Sequence, residues 1–163
     1  MRDLTLEVVR PSEAQLEARL PEWGAAAQRL GMPSLSWHPS WLAILAAGMG
    51  HEPYCIVAHE GNRIVGLLPL AFVRSLLFGR FLVGLPYVNV GGVRAENPAA
   101  AAGLIDRAVE LADRLDVRYL ELRHEKPLDH AGLGPRLESK VHMRLPLPEA
   151  ADALWASFKP KVR

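Results

Sequence analysis

The sequence predicts a mixed α/β domain, a mostly antiparallel sheet flanked by helices. Three observations predict it. Short apolar runs with strand character crowd residues 53–90, two of them separated only by the turn Glu60-Gly61-Asn62. One strongly amphipathic helical stretch follows at 97–115, long enough to cross between two parallel strands. Helical patterns also precede the strands, which gives the order β-α-α-β-β-β-α-β-β-α.

Each element has its own signal. Residues 4–9 alternate weakly and read as an opening strand. Ser12 with Gln15 forms a capping box for a helix. Pro21 reads as a restart at a first helical turn, with the helix running to Leu30 and stopping at Gly31. Pro39 opens a second helix, with Trp41, Ile44, Leu45 and Met49 on one face and Gly48 or Gly50 at its end. Residues 53–59 and 63–73 form the hairpin, and Gly66 and Pro69 in its second strand predict a bulge or an edge segment. Residues 80–90 form a further strand, interrupted at Gly84 and Pro86. Asn97 caps the long helix and Pro98 begins it. Ala101, Leu104, Ile105, Ala108, Leu111, Ala112 and Leu115 form its apolar stripe. Residues 117–123 and 140–147 alternate as strands. The segment 125–138 between them reads as a loop, and a short helix spans about 148–158.

Bulk properties narrow the function. The chain has 163 residues, one domain by length, and can bury a core without staples. The net charge of +1 gives no reason to propose bulk nucleic-acid binding. One cysteine, Cys55, excludes an internal disulfide and lies in an apolar run, as a small core residue does. No signal core and no membrane span is evident, so a cytoplasmic location is expected. No His/Cys/Asp/Glu group has metal-ligand spacing, no Ser-His-Asp or thiol-His set is arguable from sequence order, and no catalytic residue is assigned.

Five ordered strings carry a more specific message. They are Trp37-His38-Pro39-Ser40-Trp41, Gly66-Leu67-Leu68-Pro69-Leu70, Arg74-Ser75-Leu76-Leu77-Phe78-Gly79, Leu85-Pro86-Tyr87-Val88-Asn89-Val90-Gly91-Gly92 and Tyr119-Leu120-Glu121-Leu122-Arg123. Together with the element order they resemble FemAB-like proteins of the GNAT acyltransferase superfamily. The branch is the one associated with PEP-CTERM/exosortase systems and exopolysaccharide loci, near the methicillin-resistance-factor peptidyltransferases.

That resemblance implies a GNAT-like fold. It also implies two such halves per protein, of which residues 1–158 match the N-terminal one. Residues 159–163 (Lys159-Pro160-Lys161-Val162-Arg163) are then the start of a linker or helix to a second half, and the chain is a fragment or a half-length relative. The implied function is substrate positioning in an N-acyl or aminoacyl (peptidyl) transferase of cell-envelope or exopolysaccharide biosynthesis. The isolated half is expected to be inactive. Implied partners are an anionic sugar-nucleotide or cell-envelope precursor and, through the missing half, aminoacyl-tRNA; a dimer of the fragment is a further possibility. GNAT enzymes usually cradle the acyl-CoA pyrophosphate with a Q/R-x-x-G-x-G/A loop before a helix. Here that stretch is Gly91 to Pro98, with two glycines at the wrong spacing and with Glu96 and Asn97 at the helix start, so no cofactor is expected. Two alternatives remain: a self-contained acyl-CoA-dependent GNAT N-acetyltransferase, and a non-catalytic interaction module.

Candidate binding residues follow from residue chemistry. Arg74 and Ser75 end a long apolar strand, where Arg suits phosphate or carboxylate, or simply faces solvent. Asn89 lies among apolar residues and, if buried, needs a partner in backbone or substrate. Gly91 and Gly92 supply either a positive-φ turn or a backbone wall for a substrate. Glu121 and Arg123 share a strand face with Tyr119, as a salt-bridge network or, if that face lines a cleft, an anion anchor. His38 and Trp41 pack a helix start or form the lip of a pocket. Lys159, Lys161 and Arg163 are solvated or touch a phosphate-bearing partner.

Overall fold

The computed structural model describes residues 3–32, 35–134, 143 and 145–161. Its elements run β1 (Leu4–Val9), α1 (Glu13–Arg29), a 3-10 turn (Leu35–Trp37), α2 (Trp41–Met49), β2 (Glu52–Glu60), β3 (Arg63–Ser75), β4 (Gly79–Val83), β5 (Arg94–Ala95), α3 (Pro98–Arg114), β6 (Tyr119–Glu121) and α4 (Ala151–Ser157). The strands form one sheet in the order β1-β2-β3-β4-β6, with β5 also paired to β3. All pairings are antiparallel except β4 with β6, which α3 joins in parallel. That is the mixed, mostly antiparallel architecture predicted.

Helices cover both faces, and this explains the apolar runs. Cys55 and Val57 of β2 face α1 and α2 in a cluster with Trp23, Trp37 and Leu42. Tyr54, Ile56 and Ala58 face α3 in a cluster with Leu104, Ala108 and Leu111. A strand buried on both sides has no polar face to alternate with. Cys55 is fully buried, and desolvation raises its thiol pKa, so it is a core residue.

Local chemistry sets the boundaries. The Ser12–Gln15 capping box opens α1. Pro21 does not restart the helix but lies inside it. Pro21 and Glu17 are both exposed, so the carbonyl that loses its bond faces solvent. In α2 the inward residues are Leu42 and Leu45, while Ile44 and Met49 are more than half exposed, so the predicted face is rotated. Trp41 is partly buried against the core, and its indole N–H donates to the Leu35 carbonyl at 3.0 Å.

The bulge predicted in β3 falls where the register shifts between Ala58 and His59, leaving Val65 as the extra residue. Yet β3 is central, not an edge. Pro69 is tolerated because β5 pairs with β3 at 66–67 and β4 only from 71, so residue 69 lies in the gap between them.

The largest departure is at 84–90. The strand predicted over 80–90 stops at Val83, and positive φ at Leu85 (48°) and Tyr87 (69°) turns the chain into a loop. The strand predicted over 140–147 lies largely outside the described residues, and those described there belong to no strand. No helix among the described residues is long and apolar enough to cross a membrane.

Candidate functional site

The loop 85–90 is closed by a glycine neck. The Gly84 N–H donates to the Glu121 carbonyl at 2.9 Å, continuing from β4, and the Gly91 N–H donates to the Arg123 carbonyl at 3.0 Å in an isolated antiparallel bridge just beyond β6. The two glycines also abut each other. A Cβ on Gly84 would overlap the Gly91 carbonyl oxygen, and one on Gly91 would overlap that of Gly84. Gly92 is pressed against His124, and its carbonyl accepts the Trp37 indole N–H at 2.7 Å. Neither Gly91 nor Gly92 has positive φ, so the turn predicted there is replaced by close backbone approach.

This neck projects the loop over the end of β6. Arg123 ties the two together: its Nη1 donates to the Val88 carbonyl at 2.7 Å and its Nε to Glu121 Oε1 at 2.6 Å. Leu85, Val88 and Val90 point into the core, whereas Tyr87 and Asn89 point out. The predicted burial of Asn89 is thereby corrected. With its neighbours 88 and 90 turned inward, its amide faces water and needs no internal partner.

Between this loop and the β3–β4 hairpin lies an open cleft of about 580 Å³. Val73, Phe81 and Val83 give it an apolar floor. Arg74, Ser75 and Phe78 come from the hairpin, Tyr119 and Glu121 from β6, Arg123 from just beyond it, and His51 and Tyr87 from the opposite rim. Alternation places Tyr119, Glu121 and Arg123 on one face, as predicted, and that face lines the cleft.

The cleft is cationic, with Arg74, Arg118 and Arg123 against Glu121. The three arginines differ in freedom. Arg74 pairs with Glu52 at 2.5 Å, and Arg123 holds Glu121 and Val88. Arg118 has no side-chain ion-pair or hydrogen-bond partner among the described residues. The Ser75 hydroxyl accepts the Phe78 N–H at 3.2 Å and shapes the hairpin. On the far rim, His51 Nε2 and the Tyr87 hydroxyl are 2.9 Å apart, with their rings stacked. Burial lowers the His51 pKa, which favours a neutral imidazole able to accept a proton.

Other predicted residues lie elsewhere. His38 and Trp41 are outside this cleft. His38 lines a shallow depression beside α1, and its Nδ1 accepts the Ser40 N–H at 3.1 Å, which is a helix-start role. Gly91 and Gly92 are buried supports rather than an exposed wall. Lys159 and Lys161 are exposed, and Arg163 lies outside the described residues. Sequence reasoning missed His51, Tyr87 and Arg118.

The start of α3 is occupied by its own side chains. Asn97 Oδ1 accepts the Ala100 N–H at 2.8 Å, and its Nδ2 donates to Glu60 at 3.1 Å. The Glu96 N–H donates to the Val65 carbonyl, and its carboxylate pairs with Arg63. No group of three or more His, Cys, Asp or Glu that could hold a metal ion is found among the described residues.

No family model matches this sequence, and no curated protein matches it. Solved structures do match the fold. A probable acetyltransferase superposes with a TM-score of 0.48 at 17 % identity, over 88 % of this chain and 99 % of its own. A GNAT family acetyltransferase from Staphylococcus aureus gives 0.47 at 14 % identity, over 82 % and 98 %. The ribosomal-protein-alanine N-acetyltransferase from Brucella melitensis biovar Abortus 2308 superposes at 0.51 with 14 % identity, over 88 % of this chain and 100 % of its own. Element order, sheet topology and this last superposition together show that the chain has a GNAT-like fold.

Proposed function

We propose that this domain positions the acceptor in an N-acyltransferase of the FemAB kind, holding an anionic sugar-nucleotide or cell-envelope precursor in the cleft over β4 and β6. The observation that carries this reading is the contrast between two places. The cleft collects three arginines against one glutamate, with Arg118 unengaged among the described residues. The α3 start, where a GNAT enzyme would cradle a pyrophosphate, is filled by Asn97 and flanked by Glu96 and Glu60. Under this reading the acyl donor is supplied from outside this domain, with aminoacyl-tRNA as the carrier.

Transfer to an amine forms a C–N bond, breaks the bond from carbonyl carbon to the carrier, and releases a proton from nitrogen. The His51–Tyr87 pair on the cleft rim is placed to take that proton, because burial keeps the imidazole neutral. Alignment of amine and carbonyl does most of the remaining work.

Titration calorimetry with uridine-diphosphate N-acetylglucosamine tests the reading. Arg118→Ala is expected to weaken binding about ten-fold, the low end for a charge-assisted hydrogen bond at an exposed site. Unchanged affinity in both Arg118→Ala and Arg74→Ala would sink the assignment.

A second reading is a complete acyl-CoA-dependent N-acetyltransferase. It is favoured by a superposition that spans the whole of the Brucella enzyme. Under it, acetyl-CoA at a hundred times its Kd raises stability by about 2.7 kcal/mol. An unchanged melting temperature at millimolar acetyl-CoA rejects this reading.

A further inference from the structure

The β3–β4 hairpin ends in an apolar tip. Leu76 is fully exposed, and Leu77 and Phe78 are 87 % and 67 % exposed. Three consecutive large apolar side chains in water are costly, and nothing in the turn requires them. Ser75 and Gly79 make the turn by themselves, through the Ser75 hydroxyl and a Gly79 φ of 96°.

Just behind the tip stands a collar of cations. Arg74 and Arg80 are directly opposite each other across the β3–β4 register. Like charges so placed repel. Glu52 and Asp116 offset one each, but Glu52 is shared with Arg10. Arg118 follows on the same side, its backbone N–H bonded to the Arg80 carbonyl. Four arginines thus face two carboxylates. On the opposite face of the same strands Phe81 and Tyr119 stack, 4.6 Å between centroids, with Tyr119 nearly half exposed.

We propose that this hairpin inserts into an anionic lipid surface, with Leu76, Leu77 and Phe78 in the acyl boundary and the arginine collar on the headgroup phosphates. The tip is convex and three residues long. That is too little area for a stable protein interface, which takes about 800 Å² per partner. Insertion into lipid needs no complementary pocket, and cations beside an apolar wedge are the arrangement an anionic interface rewards. The aromatic pair lies where a headgroup layer would meet it. Phe78 also lines the cleft, so the cleft mouth would open at the membrane surface. The inference does not depend on acyl transfer and is read by binding alone.

The test is co-sedimentation of the chain with vesicles of equal parts phosphatidylglycerol and phosphatidylcholine, against vesicles of pure phosphatidylcholine. Wild type is expected to pellet with the anionic vesicles and to be released as salt rises. The double variant Leu76→Ser/Leu77→Ser should lower the bound fraction at least ten-fold with an unchanged melting temperature. Arg80→Glu should reduce binding to the anionic vesicles. Wild type that pellets with neither vesicle, that binds both equally, or that self-associates in ultracentrifugation without binding lipid overturns the proposal. So does a double variant that binds as wild type does.

Discussion

Replacing Gly91 by Ala puts the glycine neck under direct test. The new Cβ would overlap the Gly84 carbonyl oxygen and approach Leu85 Cβ to 3.1 Å. Neither obstacle is a flexible side-chain end, so the two backbone segments must separate. Separation loosens the bonds from Gly84 to Glu121 and from Gly91 to Arg123, about 1 kcal/mol net for each. It also lets water reach Leu85, Val88 and Val90, which are buried now. Partial exposure of that apolar surface adds about 1–3 kcal/mol. The sum is about 3–5 kcal/mol, a large share of the 5–15 kcal/mol typical of a domain. Urea unfolding followed by tryptophan fluorescence measures it. Gly48→Ala is the control: that glycine lies within α2, and a Cβ there meets nothing within 4 Å. It should be neutral or stabilise by up to about 1 kcal/mol. If Gly91→Ala unfolds within about 1 kcal/mol of wild type, the neck is not a tight approach and the account of loop 85–90 fails.

Three further outcomes follow from single contacts. Arg123→Ala should cost about 2–3 kcal/mol in chemical unfolding, because the Val88 carbonyl loses a charged donor; a loss under 0.5 kcal/mol would mean the guanidinium does not anchor the loop. Asn97→Ala removes both the α3 cap and the link to Glu60 and should cost about 1–2 kcal/mol in the same assay, with no change contradicting the cap. His124 has its pKa lowered, first by burial and then by the nearby charge of Arg94. The unfolded chain therefore takes up a proton that the folded one refuses. This site's contribution is complete above pH 6.5 and is lost as pH falls from there toward the lowered folded value. Unfolding midpoints between pH 7.5 and 5.5 should fall more steeply in wild type than in His124→Gln, and equal slopes would contradict the burial.

What could be read in the sequence was local. Asn97-Pro98 and Ser12 with Gln15 mark helix starts through bonds to residues three positions away, so their signals survive without tertiary structure. The alternation of Tyr119, Glu121 and Arg123 was equally legible, since strand period alone puts them on one face. The role of Gly91 was not, because its need for glycine comes from Gly84, seven residues away, pressed against it by a third segment. Tyr87 and His51 were invisible for the same reason. Leu85 and Tyr87 take positive φ within a loop closed by the neck and tied to Arg123 at Val88, and nothing in Leu85-Pro86-Tyr87 declares it. Arg118 was read within the alternating strand 117–123, where the period puts it on the face opposite Tyr119, Glu121 and Arg123, so alternation pointed it away from the cleft that it lines just before β6 begins. The rotation of α2 was hidden because apolar residues surround that helix, and only packing decides between Ile44 and Leu42.

On the function proposed above, an anionic acceptor binds over β4 and β6 while the α3 start stays closed. Backbone amide chemical shifts, recorded with uridine-diphosphate N-acetylglucosamine and separately with acetyl-CoA, test both parts together. The sugar nucleotide is expected to shift amides at 73–75, 87 and 118–123, while acetyl-CoA is expected to leave 91–100 unmoved. Shifts at 91–100 with acetyl-CoA, and none in the cleft with the sugar nucleotide, would contradict it.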